Sequence, residues 1–277
     1  MKGRHHGIGH ICGAVMCAAA LAAVLLCGCT ARTENENAAQ QRTPIAVGCD
    51  DYQPYSYVES GGDYSGVDVE LATEAFHRLG YEPQFELIDW ENKDELLADG
   101  QIDCLWSCFT MTGREQSYQW AGPYLYSLHT VAVRADSDIE TLADLAGRRV
   151  GVQATTKPET ILLQRTDPRI PAVGRLFCCS SVSELHALLR KGYVDASASH
   201  ERTLQILLSE QEGSYRMLDE TLYVSELGVA FEKGTHAELA AQLEAVLAEM
   251  KQDGTMESIV EKYGLDPQKA VWGGDAS

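Results

Sequence analysis

A regular alternation of short β-like segments with amphipathic helical segments is the feature that most constrains how this chain can fold. Residues 44–48 (PIAVG) form a β-branched run that ends at a glycine. Residues 67–79 then place Val69 and Phe76 on one helical face. Strands that alternate with helices are joined by crossover connections, which make neighbouring strands parallel. The alternation therefore predicts an α/β fold on a largely parallel sheet.

The alternation occurs as two successive series followed by a tail. For the first series we predict strands at 44–48, 84–88 and 102–109, and helices at 67–79 and 92–98. For the second series we predict strands at 129–133, 149–152 and 194–197, and helices at 139–146, 156–164 and 183–191. For the tail we predict a strand at 227–231 and helices at 236–252 and 255–263. Two series of this length allow two compact lobes.

Capping and periodicity signals support several of these helices. Asp68 is the predicted N-cap of the first helix, and Thr156 with Glu159 forms a predicted capping box at the start of another. In the long tail helix, an apolar stripe at helical spacing predicts a core-facing side: Leu239, Leu243, Val246 and Met250.

The composition is that of an ordinary globular protein with an excess of acid. Hydrophobic residues make up 45% of the 277, and 22 Lys and Arg residues against 41 Asp and Glu residues give a formal charge of 22 − 41 = −19. No cluster of basic residues stands out along the chain. Because nucleic-acid binding relies on basic side chains that neutralise phosphates, the composition argues against a nucleic-acid partner.

Residues 1–28 have the pattern of a secretory signal peptide. Lys2 and Arg4 precede an apolar stretch that ends in the residues LCGC before the chain turns polar. This ending resembles a bacterial lipobox, which implies cleavage before Cys29 and a lipid on its sulfur. Residues 29–43 then form a tether that holds the folded part at the extracytoplasmic face of the cell membrane. The alternative is a single membrane-spanning anchor, although such a helix needs roughly 20 apolar residues and this stretch is shorter.

Signatures of catalysis and of metal binding are scarce. We find no nucleophile elbow, no Gly-rich phosphate loop and no HExxH or CxxC motif, and we predict no catalytic residue, cofactor or metal. Five cysteines remain in the predicted folded part, and for most of them burial as small apolar residues is the favoured interpretation: Cys49, Cys104, Cys108, Cys178 and Cys179.

Open parallel sheets bind ligands beyond the carboxyl ends of their strands, which selects four loops at 49–56, 107–114, 154–156 and 197–201. Arg114 could hold a ligand carboxylate through a bidentate pair, or it could be a surface arginine paired with an acid. Thr155 and Thr156 precede a predicted helix, whose N-terminus could seat an anion or simply be capped.

The loop at 49–56 carries acids and aromatic rings. Asp50 and Asp51 stand beside Tyr52 and Tyr55, and this combination is typical of a site for an ammonium or guanidinium group. A solvated turn with one or two core tyrosines is an equally good interpretation.

An ordered series of motifs carries a resemblance to a known family. The series comprises the lipobox-like ending, VGCDDYQPYSY at 47–57, GVDVELA at 66–72, GQID at 100–103, TMTGR at 110–114, GPY at 122–124 and DGT at 253–255. Together these segments resemble the family 3 extracellular solute-binding proteins, the polar amino-acid receptors of ABC importers. The resemblance spans roughly residues 44–265.

The resemblance implies a two-lobed periplasmic-binding-protein-like type II fold with two crossover strands, which closes on its ligand by a hinge motion. It implies a first lobe at 44–127 plus 227–277 and a second lobe at 128–226. It also implies that the partners are a small-molecule ligand and an ABC transporter permease. A monomer is the simplest expectation.

The resemblance also implies a set of ligand-binding residues. Tyr52 and Tyr55 would pack on the ligand. The carboxylate site would comprise Cys108, Thr110 and Arg114 from the first lobe, with Thr155 and Thr156 from the second. His200 occupies the position of the acid that takes an α-ammonium in the family, so Asp50, Asp51 or Glu201 would have to compensate, or the ligand is a different small carboxylate.

Two other functions stay open at this point. The first is a cyclohexadienyl dehydratase-like enzyme on the same fold, for which His200 or Glu201 would be the general acid. The second is a receptor that reports ligand to a membrane kinase, which this chain alone does not distinguish from a transport receptor.

Overall fold

The structure is a computed structural model that describes residues 42–165 and 167–274. The predicted signal peptide, the predicted lipid site at Cys29 and the predicted tether as far as residue 41 lie outside these residues.

The strands differ widely in length, from two residues to sixteen. In chain order they are β1 (Thr43–Cys49), β2 (Tyr57–Val58), β3 (Tyr64–Ser65), β4 (Tyr81–Leu87), β5 (Cys104–Leu105), β6 (Gln119–Arg134), β7 (Arg149–Gln153), β8 (Arg175–Cys179), β9 (Ala196–His200), β10 (Tyr215–Met217) and β11 (Tyr223–Phe231).

The helices lie mostly between successive strands and after the last strand. They are α1 (Val67–Arg78), α2 (Lys93–Ala98), α3 (Lys157–Gln164), α4 (Val182–Arg190), α5 (Glu201–Glu210), α6 (Ala237–Gln252), α7 (Thr255–Lys262) and α8 (Pro267–Ala270). Two short 3-10 helices cover Trp90–Asn92 and Leu142–Leu145.

Nine strands form one sheet, whose hydrogen-bonded order is β4-β1-β5-β11-β6-β9-β7-β8, with β10 also paired to β6. The first strand group (β4, β1 and β5) is parallel, and so is the second strand group (β9, β7 and β8). The central pair, β6 and β11, is antiparallel and joins the two groups. The predicted α/β class is therefore confirmed, with two crossover strands at the centre of the sheet.

Each strand group has its own hydrophobic core. Phe76 of α1 and Leu243 of α6 pack against the first group and the central pair. Val150 of β7 and Leu142 pack in a core of the second group. The stripe predicted on the tail helix is confirmed as core, because all four of its members are buried: Leu239, Leu243, Val246 and Met250.

Both predicted capping signals are wrong in detail. The N-cap of α1 is Gly66, whose φ of 126° and close approach to the Tyr55 carbonyl leave no space for a side chain. Asp68 is instead buried, and its carboxylate accepts hydrogen bonds from the Cys108 N–H at 2.6 Å and the Tyr124 hydroxyl at 2.9 Å. Thr156 is the N-cap of α3 but makes no side-chain cap.

Several predicted elements are shorter than expected, and others were missed. The strand predicted at 102–109 is reduced to β5, because the chain leaves the sheet toward Cys108, which has a positive φ of 50°. The helix predicted at 139–146 is the short 3-10 helix Leu142–Leu145. The strands β8 and β10 and the helix α5 were not predicted.

The five cysteines of the described chain are free thiols, and all but Cys178 are buried. Burial as small apolar residues is therefore confirmed for four of them. None of the described helices is long and apolar enough to cross a membrane.

Candidate functional site

A cleft lies where strands of both groups end. β1 ends before Asp50, β5 shortly before Ser107, and β7 shortly before Thr155, while β9 ends at His200. The side chains that line the cleft are Asp50, Tyr52, Trp90, Ser107, Cys108, Phe109, Thr110, Arg114, His129, Gln153, Thr155, Thr156, Lys157, Pro158, Ala198, Ser199 and His200.

Arg114 lies at one end of the cleft. Its guanidinium donates to the carbonyl oxygens of Thr110 at 3.3 Å and Thr155 at 3.0 Å and packs on the Phe109 ring at 5.2 Å. Burial lowers its pKa from the ordinary value, but a guanidinium stays protonated at neutral pH. Within the described chain no carboxylate lies in ion-pair distance of Arg114, and Asp94 and Glu159 act on its charge only from farther away.

The start of α3 closes the same end of the cleft. The Thr155 N–H donates to Glu159 at 2.6 Å, and the Thr156 hydroxyl donates to the Gln153 carbonyl at 2.6 Å. Lys157 donates from Nζ to the Thr112 carbonyl at 3.1 Å. The side chain of Glu159 thus binds Thr155 rather than completing the predicted box with Thr156. A helix N-terminus and two cations, from Arg114 and Lys157, converge on this end.

One acid, Asp50, lines the cleft among the described residues. The Asp50 carboxylate accepts from Gln153 Nε2 at 2.5 Å and from the Asp51 N–H at 2.8 Å. Burial raises the pKa of Asp50 to about 6, although the hydrogen bond from Gln153 acts in the opposite direction. The Gln153 Oε1 atom is buried and has no partner among the residues described. Both acceptors could therefore take N–H groups of a ligand.

Two histidines also line the cleft. The rings of His129 and His200 are 3.8 Å apart between centroids. His200 pairs through Nδ1 with the Ser127 hydroxyl at 2.7 Å, and its Nε2 lies 3.4 Å from the Cys108 sulfur. Burial lowers the pKa of His200 to about 3 and that of His129 well below the ordinary value. Both rings are therefore neutral at neutral pH and offer hydrogen bonds rather than charge.

The two tyrosines predicted to pack on a ligand occupy different places. Tyr52 lines the cleft, and its hydroxyl is 2.6 Å from that of Ser199. Tyr55 is buried behind the cleft, where its hydroxyl pairs with Ser127 at 3.0 Å and its ring lines a separate cavity that also contains Glu201.

The structure brings eight of the nine predicted ligand-binding residues to this cleft, Tyr55 being the exception. Sequence reasoning missed Trp90, Gln153 and Lys157, among others. Gln153 and Lys157 flank the predicted Thr155 and Thr156, so the signal was present in the neighbouring positions. Trp90 begins a 3-10 helix that no motif had selected.

Comparison with known proteins agrees with this architecture. Residues 45–266 match the model of the bacterial extracellular solute-binding proteins, family 3. The L-cystine-binding protein TcyJ of Escherichia coli K12 is 28% identical over 238 residues, which cover 84% of this chain and 87% of that protein. TcyA of Bacillus subtilis, also an L-cystine-binding protein, is 26% identical over 222 residues, or 79% of this chain and 80% of that one.

A solved structure extends the comparison to three dimensions. Tv2483 bound to L-arginine superposes with a TM-score of 0.74 at 29% identity, over 81% of this chain and 92% of that chain. The family match covers most of the chain, and structural neighbours are two-lobed proteins with this sheet arrangement. The chain therefore belongs to the bacterial extracellular solute-binding proteins of family 3.

Proposed function

We propose that this protein is the receptor of an ABC importer, which binds an amino acid or a related small polar carboxylate in the cleft and delivers it to a transporter permease. The observation that carries the proposal is Arg114, a guanidinium facing the cleft without a carboxylate partner in the described chain. An unpaired charge away from water is unfavourable, so a ligand carboxylate at this place is stabilised by a charge-assisted hydrogen-bond pair.

The other predicted residues support the same arrangement. Thr110, Thr155 and Thr156 line the same cleft as Arg114, and the N-terminus of α3 lies there as well. Asp50 and the free Gln153 Oε1, which also belong to the cleft, supply acceptors for an N–H-bearing group of the ligand. The relatives named for L-cystine support a ligand with amino-acid character.

We place the lobe boundaries at 44–127 plus 227–277 for lobe I and at 128–226 for lobe II. Three of the four hydrophobic clusters fall wholly within one lobe, and the fourth departs only through Val182. A ligand that touches both walls of the cleft favours the closed arrangement, because it binds that arrangement better than an open one.

As a family of extracellular receptors, these proteins work outside the cytoplasm. For this chain we propose removal of residues 1–28 and lipid attachment at Cys29, with residues 29–43 as the tether. The lipobox-like ending supports this anchor. Cell fractionation tests it: a Cys29→Ser variant should leave the membrane fraction, and a variant that stays there would favour the membrane-spanning alternative.

The dehydratase-like alternative has less support in the cleft. His200 is unprotonated at neutral pH because burial lowers its pKa to about 3, and Glu201 lines a different cavity. Neither residue is thus placed to act as a general acid. Asp50 is the acid that lines the cleft among the described residues, and its carboxylate is engaged by Gln153. We expect prephenate and arogenate to remain unchanged after incubation with the protein.

The experiment that tests the receptor is thermal unfolding of the purified chain against a panel of amino acids, their analogues without the amino group, cystine, polyamines and prephenate. A ligand at about 100 times its Kd adds about 2.7 kcal/mol to the folded state, which raises the melting temperature by several degrees. A shift with a carboxylate solute supports the proposal. Shifts confined to solutes without a carboxylate would contradict it.

A further inference from the structure

A third cation, Lys93, lies near Arg114 and Lys157, and no sequence motif had selected it. Lys93 begins α2 and is only 3% exposed. Its ammonium donates to the Trp90 carbonyl at 3.3 Å and to the Thr155 hydroxyl oxygen at 3.0 Å, and lies 5.4 Å from the centroid of the Trp90 ring. Trp90 and Thr155 both line the cleft, so Lys93 lies directly behind its wall.

Lys93 lacks the partner that a buried lysine usually has. No carboxylate of the described chain lies within ion-pair distance of its Nζ. Three acids lie near enough to act on its charge; Glu91 is exposed to solvent, and the other two are engaged elsewhere. Asp94 accepts from the Tyr118 hydroxyl at 2.5 Å. Glu159 accepts from the Thr155 N–H and from the Cys178 thiol at 3.1 Å. A lysine buried without a charged partner is rare, because desolvation disfavours its charged form.

Lys93 and Arg114 converge on a single residue. Lys93 binds the hydroxyl of Thr155, and Arg114 binds the carbonyl of the same residue. Lys157 lines the cleft beside them. In a chain whose formal charge is −19, three cations therefore gather at one end of one cleft, where a single ligand carboxylate would neutralise only one of them.

We propose that the solute carries two acidic groups, one held by Arg114 and the second by the Thr155 hydroxyl with Lys93 behind it. This inference rests on the receptor function proposed above and names its ligand class. Because the Thr155 oxygen accepts from the Lys93 ammonium, its own O–H is left to donate toward the cleft. The hydroxyl, polarised by the cation behind it, binds an anionic oxygen more strongly than a neutral amide oxygen.

The test uses pairs of solutes that differ only in the second acidic group. We would titrate the protein calorimetrically with glutamate and glutamine, aspartate and asparagine, and succinate and succinamate, together with cystine as a further diacid. The diacid of at least one pair should bind about tenfold or more tighter than its amide. Equal binding of acid and amide, or preference for the amide, would overturn the inference.

A Lys93→Met variant tests the role of the lysine itself. Methionine keeps the length of the side chain without its charge, so affinity for the diacid should fall about tenfold or more while affinity for a monoacid changes little. The variant should also unfold at a higher temperature without ligand, because a desolvated cation is removed. Lys191→Met, on an exposed lysine, serves as the control and should change neither property.

The outcomes separate this inference from the receptor function. Unchanged diacid affinity in Lys93→Met, or exclusive binding of solutes with one acidic group, overturns the second subsite but leaves a carboxylate receptor intact. If no carboxylate binds at all, both proposals are contradicted.

Discussion

At the scale of single residues, Asp50 shows how burial prepares the cleft for a ligand. It is 7% exposed, and among the described residues it is the one acid that lines the cleft. Its two oxygens accept from Gln153 and Asp51, yet burial still raises its pKa from 3.8 to about 6. The ionised form is therefore held at a cost to the stability of the folded protein.

The stability of the folded protein depends on pH because the pKa of Asp50 differs between the folded and the unfolded protein. Below about pH 4, Asp50 is protonated in both the folded and the unfolded protein and carries no penalty. As pH rises from about 4 to about 6, the unfolded chain loses the proton first, so the stability of the folded protein falls. Above about pH 6 the full penalty applies, on the order of 2 to 3 kcal/mol for a shift of this size.

We predict that Asp50→Asn raises the free energy of unfolding by about 2 kcal/mol at pH 8 and has little effect at pH 4, since it removes the ionisation and keeps one acceptor. Urea denaturation across this pH range is the measurement. The buried histidines titrate equally in both proteins, so the difference isolates Asp50. Asp51→Asn, at an exposed neighbouring residue, is the control. A difference in the free energy of unfolding between Asp50→Asn and the wild type that is the same at every pH would refute the raised pKa of Asp50.

Sequence motifs at the ends of predicted strands identified several of the residues that line the cleft. Arg114, Thr155 and His200 were all found from short segments of sequence, and all line the cleft. Lys93 and Trp90 were not predicted, because it is the tertiary fold that brings a 3-10 helix and the start of α2 close to Thr155. No local pattern encodes that approach. Tyr55 was expected in the cleft, yet its aromatic character serves the core behind it.

At the scale of elements, the loop that carries Arg114 is fixed by strand β11. The Met111 N–H donates to the Glu226 carbonyl at 2.8 Å, and the Gly228 N–H donates to the Phe109 carbonyl at 2.9 Å. The pairing of β11 with β6 shifts register between Leu227 and Val229. A side chain at Gly228 would overlap the Met111 side chain and approach Trp120 to 2.9 Å.

We predict that Gly228→Ala lowers the free energy of unfolding by about 1 to 3 kcal/mol, as overpacking does elsewhere. It should also weaken ligand binding, because relief of the overlap displaces the loop that ends at Arg114. Denaturation and calorimetry measure the two effects. Gly61→Ala is the control, since a side chain there would meet no atom closer than 3.7 Å. Wild-type affinity in a folded Gly228→Ala protein would mean that β11 does not position the loop.

The existence of elements was easier to predict than their ends. Helix α1 and strand β1 follow from periodicity and from β-branched residues, and both were found within two residues of their bounds. Helix α5 was missed although Leu204 and Leu207 are buried at helical spacing, a signal that sequence reasoning overlooked. Strand β10 has only three residues, and its pairing with β6 rather than its own pattern makes it a strand.

At the scale of the whole molecule, hydrogen bonds join the two proposed lobes, one inside the cleft and one outside it. Tyr52 meets Ser199 at 2.6 Å, and the Thr203 hydroxyl donates to the Gln53 carbonyl at 2.9 Å. The ligand contacts that we propose, with Arg114 from one lobe and Thr155 from the other, would add to this set. Two α/β series in the sequence predicted two lobes, but the residues that face one another across the cleft emerge only from the folded chain.

The most direct test of the account is the affinity of the panel's tightest-binding carboxylate, measured by calorimetry, for the wild type and for Arg114→Ala. Hydrogen bonds to a charged group contribute about 1.5 to 3 kcal/mol each, so loss of a bidentate pair should weaken binding by about a hundredfold or more. Arg114→Lys, which keeps the charge without the fork, should fall between. Arg175→Ala, on an exposed strand residue, should bind as the wild type does. Wild-type affinity in a folded Arg114→Ala protein would contradict the central claim that this cleft recognises a carboxylate through Arg114.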